Sequence, residues 1–158
     1  MPSEFIIRRP YPGYRKSILI PFATVRGKAI MVDPVDPTQG KLAEGALAGF
    51  VTRDVAEGGP SVIDRAQVFP GRLELPFSKD QECTLELADA VECEGDEYIV
   101  QAGADAITAA TPINTKLSFV DGKFRVSQAG DIDYFLLTKL PTPELDPVNT
   151  RIYAERII

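Results

Sequence analysis

The side chains that could carry chemistry in this sequence are carboxylates and two thiols, because its 158 residues include no histidine. Without histidine, Ser-His-Asp and Cys-His catalysis, histidine general bases and the common zinc sites cannot be built in their usual form. The sequence also contains neither a GxxxxGK[ST] phosphate loop nor a GxGxxG segment after a strand. We therefore predict a protein that is not an enzyme and that uses no cofactor and no metal.

Two pairs of aspartates have a spacing that could bind a hard cation or serve as acid and base. Asp33 and Asp36 each precede a proline, and Asp131 and Asp133 follow Gly130 and precede Tyr134. Asp-Pro and Gly-Asp are also turn sequences, in which the carboxylate bonds its own backbone. We favour turns, because neither pair carries the further oxygen ligands of a calcium loop. The acidic run 92–97 could attract cations, but we interpret it as a solvated hairpin tip.

The two cysteines, Cys83 and Cys93, are too few for a disulfide framework. Their spacing would suit facing positions on a hairpin, so one bridge is geometrically possible. In a protein made in a reducing compartment, two small buried thiols are the favoured interpretation.

The overall charge is acidic, with a net charge of -6. This balance argues against a nucleic-acid-binding protein and against docking on an anionic membrane. No apolar run approaches the roughly 18–20 residues that span a bilayer, and the first residues lack the order of a signal peptide. We expect the chain to be made and used on the cytosolic side, or in something assembled there.

The charge is unevenly distributed along the chain. Residues 1–28 hold six Lys and Arg against Glu4, a net charge of +5, so the rest carries -11. Residues 1–16 contain Pro10, Pro12 and Gly13, which forbid a helix, and are predicted to form an extended basic arm that docks on an acidic surface. The residues expected to bind that partner are Phe5, Ile6, Ile7, Arg8, Arg9, Tyr11, Tyr14, Arg15 and Lys16.

Residues 17–158 are predicted to form a single, mostly β domain: a small β-barrel or sandwich. Short apolar runs bounded by turn residues indicate the strands, and Val120-Asp121-Gly122-Lys123 is the strongest hairpin signal. Helix evidence is thin; 39–45 and 61–67 could each form one turn. A short echo between 32–53 and 120–139 suggests two related β units. The strands are expected at 17–23, 28–32, 47–52, 67–69, 73–75, 83–87, 98–100, 116–120, 123–126 and 134–138.

The second half of the chain carries a repeated cadence of glycine turns and short strands. It runs through Gly95-Asp96-Glu97-Tyr98, Ala102-Gly103-Ala104-Asp105, Thr111-Pro112-Ile113, Asp121-Gly122-Lys123 and Gly130-Asp131 to a final strand within 151–158. This cadence resembles the small β-barrel decoration, or cement, proteins of tailed-phage capsids. The resemblance covers roughly 95–158 and, more weakly, 25–55. The proline-rich basic arm and the acidic stretch 79–97 depart from it.

The resemblance implies a virion protein on the outer capsid surface that bridges subunits of the major capsid protein and clusters as a homotrimer. A phage tail, baseplate or head-completion protein is the alternative within the structural class. A β-barrel enzyme or sugar-binding module that uses Asp131, Asp133 and Tyr134 is the alternative from another class. An oligomeric bacterial β-protein unrelated to virions is the third.

Overall fold

The structure, a computed structural model, describes residues 3–56, 77–78, 85–101, 103–141, 145 and 149–158. For 10–16, 77–78 and 85–89 it describes the backbone but not the side chains. These residues form strands and no helix, which confirms a mostly β protein. The strands are β1 (Phe5–Ile18), β2 (Ala29–Val32), β3 (Gly40–Leu42), β4 (Gly49–Val51), β5 (Val55–Ala56), β6 (Phe77–Ser78), β7 (Leu85–Gly95), β8 (Lys116–Val120), β9 (Lys123–Val126), β10 (Phe135–Lys139) and β11 (Ile152–Arg156).

The long strand β7 organises the main sheet. Along one of its edges runs β1; along the other, β4 pairs near Ala88 and β11 pairs between Glu92 and Gly95. The sheet therefore has two branches, β4-β2-β3 and β11-β10-β8-β9. All pairs in this sheet are antiparallel, whereas β5 and β6 form a separate parallel pair. No closed barrel is found among the described strands.

Aromatic packing joins the two branches across the main core. The Phe50 ring on β4 lies 5.8 Å from the rings of Phe119 and Phe124 and 5.9 Å from that of Phe135. All four side chains are buried. Offset and edge-to-face pairs at these distances add about 0.5–1.5 kcal/mol each beyond the area they bury. A second, smaller cluster gathers Ile18, Ile20, Ile30, Ala48, Val51 and Val55.

The hairpin between β8 and β9 confirms the strongest turn prediction. Asp121 and Gly122 both have positive φ, 53° and 73°, as a two-residue turn between antiparallel strands requires. The Gly122 carbonyl also accepts a 2.8 Å hydrogen bond from the Ala29 amide. A Cβ on Gly122 would lie 2.8 Å from the Leu42 side chain, so the hairpin also needs glycine to reach the other branch.

Several strand predictions match the structure closely, and others do not. The bounds of β8 and β9 are as expected, and β2, β4 and β10 lie within a residue or two of the expected ranges. The possible helical turn at 39–45 is wrong, because β3 occupies Gly40–Leu42. The expected 98–100 strand contributes only a single bridge, at Tyr98. The expected strands at 67–69 and 73–75 and the turn at 61–67 lie outside the described residues.

The separate N-terminal arm is not confirmed. Residues 5–18 are extended, as expected, but they pair along β7 from Phe5–Gly95 to Ile18–Leu85. The β1 strand also crosses the expected boundary between residues 16 and 17. Phe5 lies in the main core, with its ring 4.8 Å from that of Phe50. This N-terminal segment is therefore packed into the sheet.

Candidate functional site

The outer face of β1, β7 and β11 carries a cross-strand arrangement of charges centred on Glu94. Cys93 lies in the core, and because side chains alternate along a strand, its neighbour Glu94 faces outward. Ile6 on β1 and Tyr153 on β11 lie directly opposite Glu94 in register. A β-bulge in β1 brings Arg8 to Glu94. Ile7 pairs with Cys93 and Arg9 with Glu92, so Arg8 is an extra residue without a ladder partner on β7.

Glu94 is completely buried although it lies on the outer face, because its ion-pair partners cover it. Its Oε2 accepts a hydrogen bond from the Arg8 guanidinium, and its Oε1 lies 3.5 Å from Arg151 Nε. Burial alone would raise the pKa of Glu94. Hydrogen bonds from Tyr153 and Arg8, with the positive charges of Arg8 and Arg151, outweigh burial and lower that pKa. The carboxylate therefore stays ionised, which suits an ion-pair centre and not a general acid.

The cation side of this cluster is more accessible. The Arg8 side chain is 52% exposed and that of Arg151 is 20% exposed. Arg151 also pairs with Glu4, which continues the cluster to the start of β1. The Tyr153 ring has Arg8 at 5.9 Å on its face and the Lys139 ammonium at 5.1 Å, within the range of cation–π attraction.

A second row of charges follows one step along the strands. Arg9 Nε lies 3.3 Å from Glu92, and another Arg9 nitrogen lies 3.7 Å from Glu155 on β11. These side chains are about half exposed, so water screens them and each pair contributes little. Beyond the strand end, Lys28 Nζ lies 3.4 Å from Glu97 at a mostly buried position. Arg8, Arg9 and Lys28 are thus each paired with an acid of the run 92–97 of the same chain.

A shallow pocket of about 210 Å³ opens beside this cluster. Two guanidinium groups, one carboxylate and an apolar wall line it, contributed by Glu4, Phe5, Ile6, Arg26 and Arg151. Glu4 and Glu94 already pair with Arg151, so the pocket carries no strong excess of positive charge.

The interpretation of 92–97 as a solvated hairpin tip is wrong. Residues 92–95 lie inside β7, between β1 and β11, and Glu94 is fully buried. Asp96 accepts hydrogen bonds from the Glu4 amide at 3.1 Å. Burial raises the pKa of Asp96 and the Glu97 charge adds to this, although the Glu4 hydrogen bond opposes it. The acidic run serves as the partner of β1.

The two aspartate pairs are engaged in local structure. Asp33 accepts from the Val35 amide at 2.9 Å and Asp36 from the Thr38 amide at 3.1 Å, as expected for turns. The Thr38 hydroxyl and amide lower the pKa of Asp36.

In the second pair, Asp131 bonds the Arg125 guanidinium at 2.7 Å and the Gln128 amide at 2.9 Å, which fixes the turn after β9. Asp133 lies 3.7 Å from Lys116 Nζ. Among the described residues, no group of three His, Cys, Asp or Glu side chains is arranged to hold a metal ion.

Cys93 is a free thiol buried between strands. Burial raises its pKa strongly and the charges of Glu94 and Glu92 add to the shift, so the reactive thiolate is disfavoured. This fits a thiol that fills core volume. Cys83 lies outside the described residues.

The residues expected to bind a partner fall into three groups. Phe5 and Ile7 pack in or against the core, and Arg8 and Arg9 pair with acids of the same chain, so all four are used internally. Ile6 is exposed beside the pocket. Tyr11, Tyr14, Arg15 and Lys16 lie on β1, and their side chains are outside the described set.

The β1 backbone is irregular where these residues lie. Pro10 pairs with Ala90 and Arg15 with Ala88, so the four residues 11–14 stand opposite one residue of β7. An excess of this kind has no ladder partner and bends the strand locally. Residues 11–14 therefore form an irregular segment on the outer strand of the sheet.

The role of Glu94 as the centre of the cluster was not predicted from the sequence. The available signal was the alternation in Val91-Glu92-Cys93-Glu94, in which a small apolar residue separates two acids as it does in a half-buried strand. Glycine at 95 and the surrounding acids favoured a turn instead.

Comparison of the chain with protein-family models, curated proteins and solved structures finds no match. Within the described part of the chain, no helix has the length and apolar character needed to cross a bilayer.

Proposed function

We propose that this chain is a structural protein of a phage particle that binds the outer capsid surface and bridges subunits of the major capsid protein, as a homotrimer. One observation carries the structural role. The candidate carboxylates are engaged within the chain: Asp33 and Asp36 accept from backbone amides, and Asp131 and Glu94 accept from guanidinium groups. Asp133 lies 3.7 Å from the Lys116 ammonium. The assignment to a capsid rests on the resemblance of residues 95–158 to the decoration proteins of tailed phages.

We further propose that the two branches of the sheet pack as a sandwich, with β1 supporting the contact surface. The aromatic contacts of Phe50 across the core support this arrangement. Because Arg8 and Arg9 are paired internally, the capsid-binding residues we propose are Ile6, Tyr11, Tyr14, Arg15 and Lys16. A rigid sheet that presents an irregular segment suits attachment to a preformed lattice, where repetition strengthens weak contacts.

Quantitative mass spectrometry of particles from a phage that encodes the chain tests the proposal. A decoration protein should be present in copy numbers comparable to the major capsid subunit. A few copies per particle would instead identify a tail or head-completion component. Absence from the particles would overturn a virion role.

A binding experiment tests the contact residues. Tyr11→Ser combined with Tyr14→Ser should weaken binding to capsids that lack the protein. Val35→Ser is the matched control, because Val35 is an exposed side chain on the turn between β2 and β3. Equal binding by both variants would remove 11–14 from the contact surface.

A further inference from the structure

The contacts of β1 have the composition of a docking interface between two molecules. Its ladder partners all lie on β7, 67 or more residues away in sequence. Phe5 inserts into the core beside Phe50, and Arg8 and Arg9 meet opposite charges on β7 and β11. Main-chain pairing, an apolar anchor and complementary charge are the elements by which a donated strand is recognised.

The segment that connects β1 to β2, here called the hinge, is the stretch that must change its path if β1 moves to another molecule. Ile18 and Ile20 pack in the second apolar cluster and belong with the strand, so the connection begins at Pro21 and ends at Lys28. Within it, Thr24 exchanges hydrogen bonds with Val55, and Gly27 has a φ of +90°. If residues 21–28 took another path, β1 could reach the β7 of a second copy and make the same contacts.

The outer edge of β1 is poorly suited to the competing mode, addition of a foreign strand. The bulge at Arg8, the four-residue excess at 11–14 and the prolines at 10 and 12 interrupt the regular backbone that such pairing needs. A trans contact that places β1 on the β7 of another copy keeps the ladder and ion pairs of β1 and avoids that edge.

We propose that copies of this chain exchange β1, so that the strand of one molecule fills the β7 edge of another. Exchange reuses the contacts of β1 and changes the path of the hinge, and it makes the free energy of association depend on protein concentration. It is therefore a low-cost route to oligomers. The charge asymmetry of the sequence then acts between copies, with Arg8 and Arg9 of one chain on the acidic β7 of its neighbour. This inference does not depend on whether the protein binds a capsid.

Disulfide trapping between two single-site variants tests the exchange. Arg9 and Glu92 are exposed register partners, and facing residues of antiparallel strands have a Cα separation of about 4.5–5.5 Å, within the range of a disulfide. One population carries Arg9→Cys and the other Glu92→Cys, both with Cys83→Ser. They are mixed, unfolded in urea, refolded together and oxidised, at concentrations from micromolar to millimolar.

Exchange predicts a mixed disulfide between the two populations that grows with concentration. A mixture of Val35→Cys with Glu92→Cys measures chance collisions, and the Arg9–Glu92 product should exceed it several-fold. A yield equal to that of the control at every concentration would overturn the proposal. Because the measurement uses the purified chain alone, its failure would leave capsid binding to be judged separately.

Discussion

The burial of Glu94 leads to a prediction that separates a buried ion pair from an exposed one on the same strand. Glu94→Gln keeps the shape of the side chain and removes its charge, leaving Arg8 and Arg151 without their common partner. Glu92→Gln makes the same chemical change two residues away on the same outer face, where the side chain is 48% exposed and pairs with Arg9.

The expected costs differ because burial differs. Removing one partner of a fully buried pair costs about 3–5 kcal/mol. Since Arg8 is half exposed and regains water, we expect about 2–3 kcal/mol for Glu94→Gln, which for a chain of this size lowers Tm by roughly 4–12 °C. The exposed Glu92 pair should contribute about 0–1 kcal/mol. Urea unfolding at neutral pH measures both, and equal costs for the two variants would refute the role of burial.

The same variant makes the pH dependence measurable. The pKa of Glu94 is lowered in the folded state, so its contribution is fully present above the unfolded value of about 4.3 and is lost as pH falls through the folded pKa. The stability difference between wild type and Glu94→Gln should therefore shrink in acid. Asp96, whose pKa is raised, also makes stability depend on pH, but it is present in both proteins and its contribution cancels in the difference. A difference that stays constant from neutral pH down to about pH 2 would contradict this linkage.

Four further outcomes follow from the packing. Phe5→Ala should cost about 3–5 kcal/mol in urea unfolding, and deleting 1–16 should destabilise the remaining chain; an unchanged midpoint would contradict the core position of Phe5. Gly122→Val should destabilise by more than 1 kcal/mol, because a β-branched residue combines a positive φ with the 2.8 Å approach to Leu42; a neutral effect on Tm would contradict this. Cys93 should react with a thiol reagent only as fast as the protein unfolds, and rapid labelling of the native state, measured in a Cys83→Ser background, would show that it is accessible.

Local turn chemistry made part of the fold predictable from sequence. The Asp121-Gly122 turn requires two positive φ values, which few dipeptides accept, so it determined β8 and β9 together. The Asp33 and Asp36 turns were equally local, because each carboxylate bonds an amide two residues away. Where a hydrogen bond joins residues a few positions apart, a short stretch of sequence contains both the donor and the acceptor and predicts the bond.

The candidate site was not predictable in this way, because its bonds join distant residues. Arg8 and Glu94 are 86 positions apart, and Glu4 and Arg151 are 147 apart. Nothing local reveals that acids inside a strand will be covered by a basic bulge from the N-terminus. Local preference therefore predicted a solvated turn at 92–97, whereas residues 92–95 lie in β7 and Glu94 is buried there.

The structure accounts for part of the uneven charge of the sequence by ion pairs within one chain. An N-terminal segment of net charge +5 in an acidic chain was interpreted as an arm for an external acidic surface. The structure pairs Arg8, Arg9 and Lys28 with Glu94, Glu92 and Glu97 of the same chain. Both interpretations describe one complementary interface, and they differ only in which molecule supplies the acidic strand. The trapping of Arg9→Cys by Glu92→Cys determines whether the asymmetry serves folding alone or assembly as well.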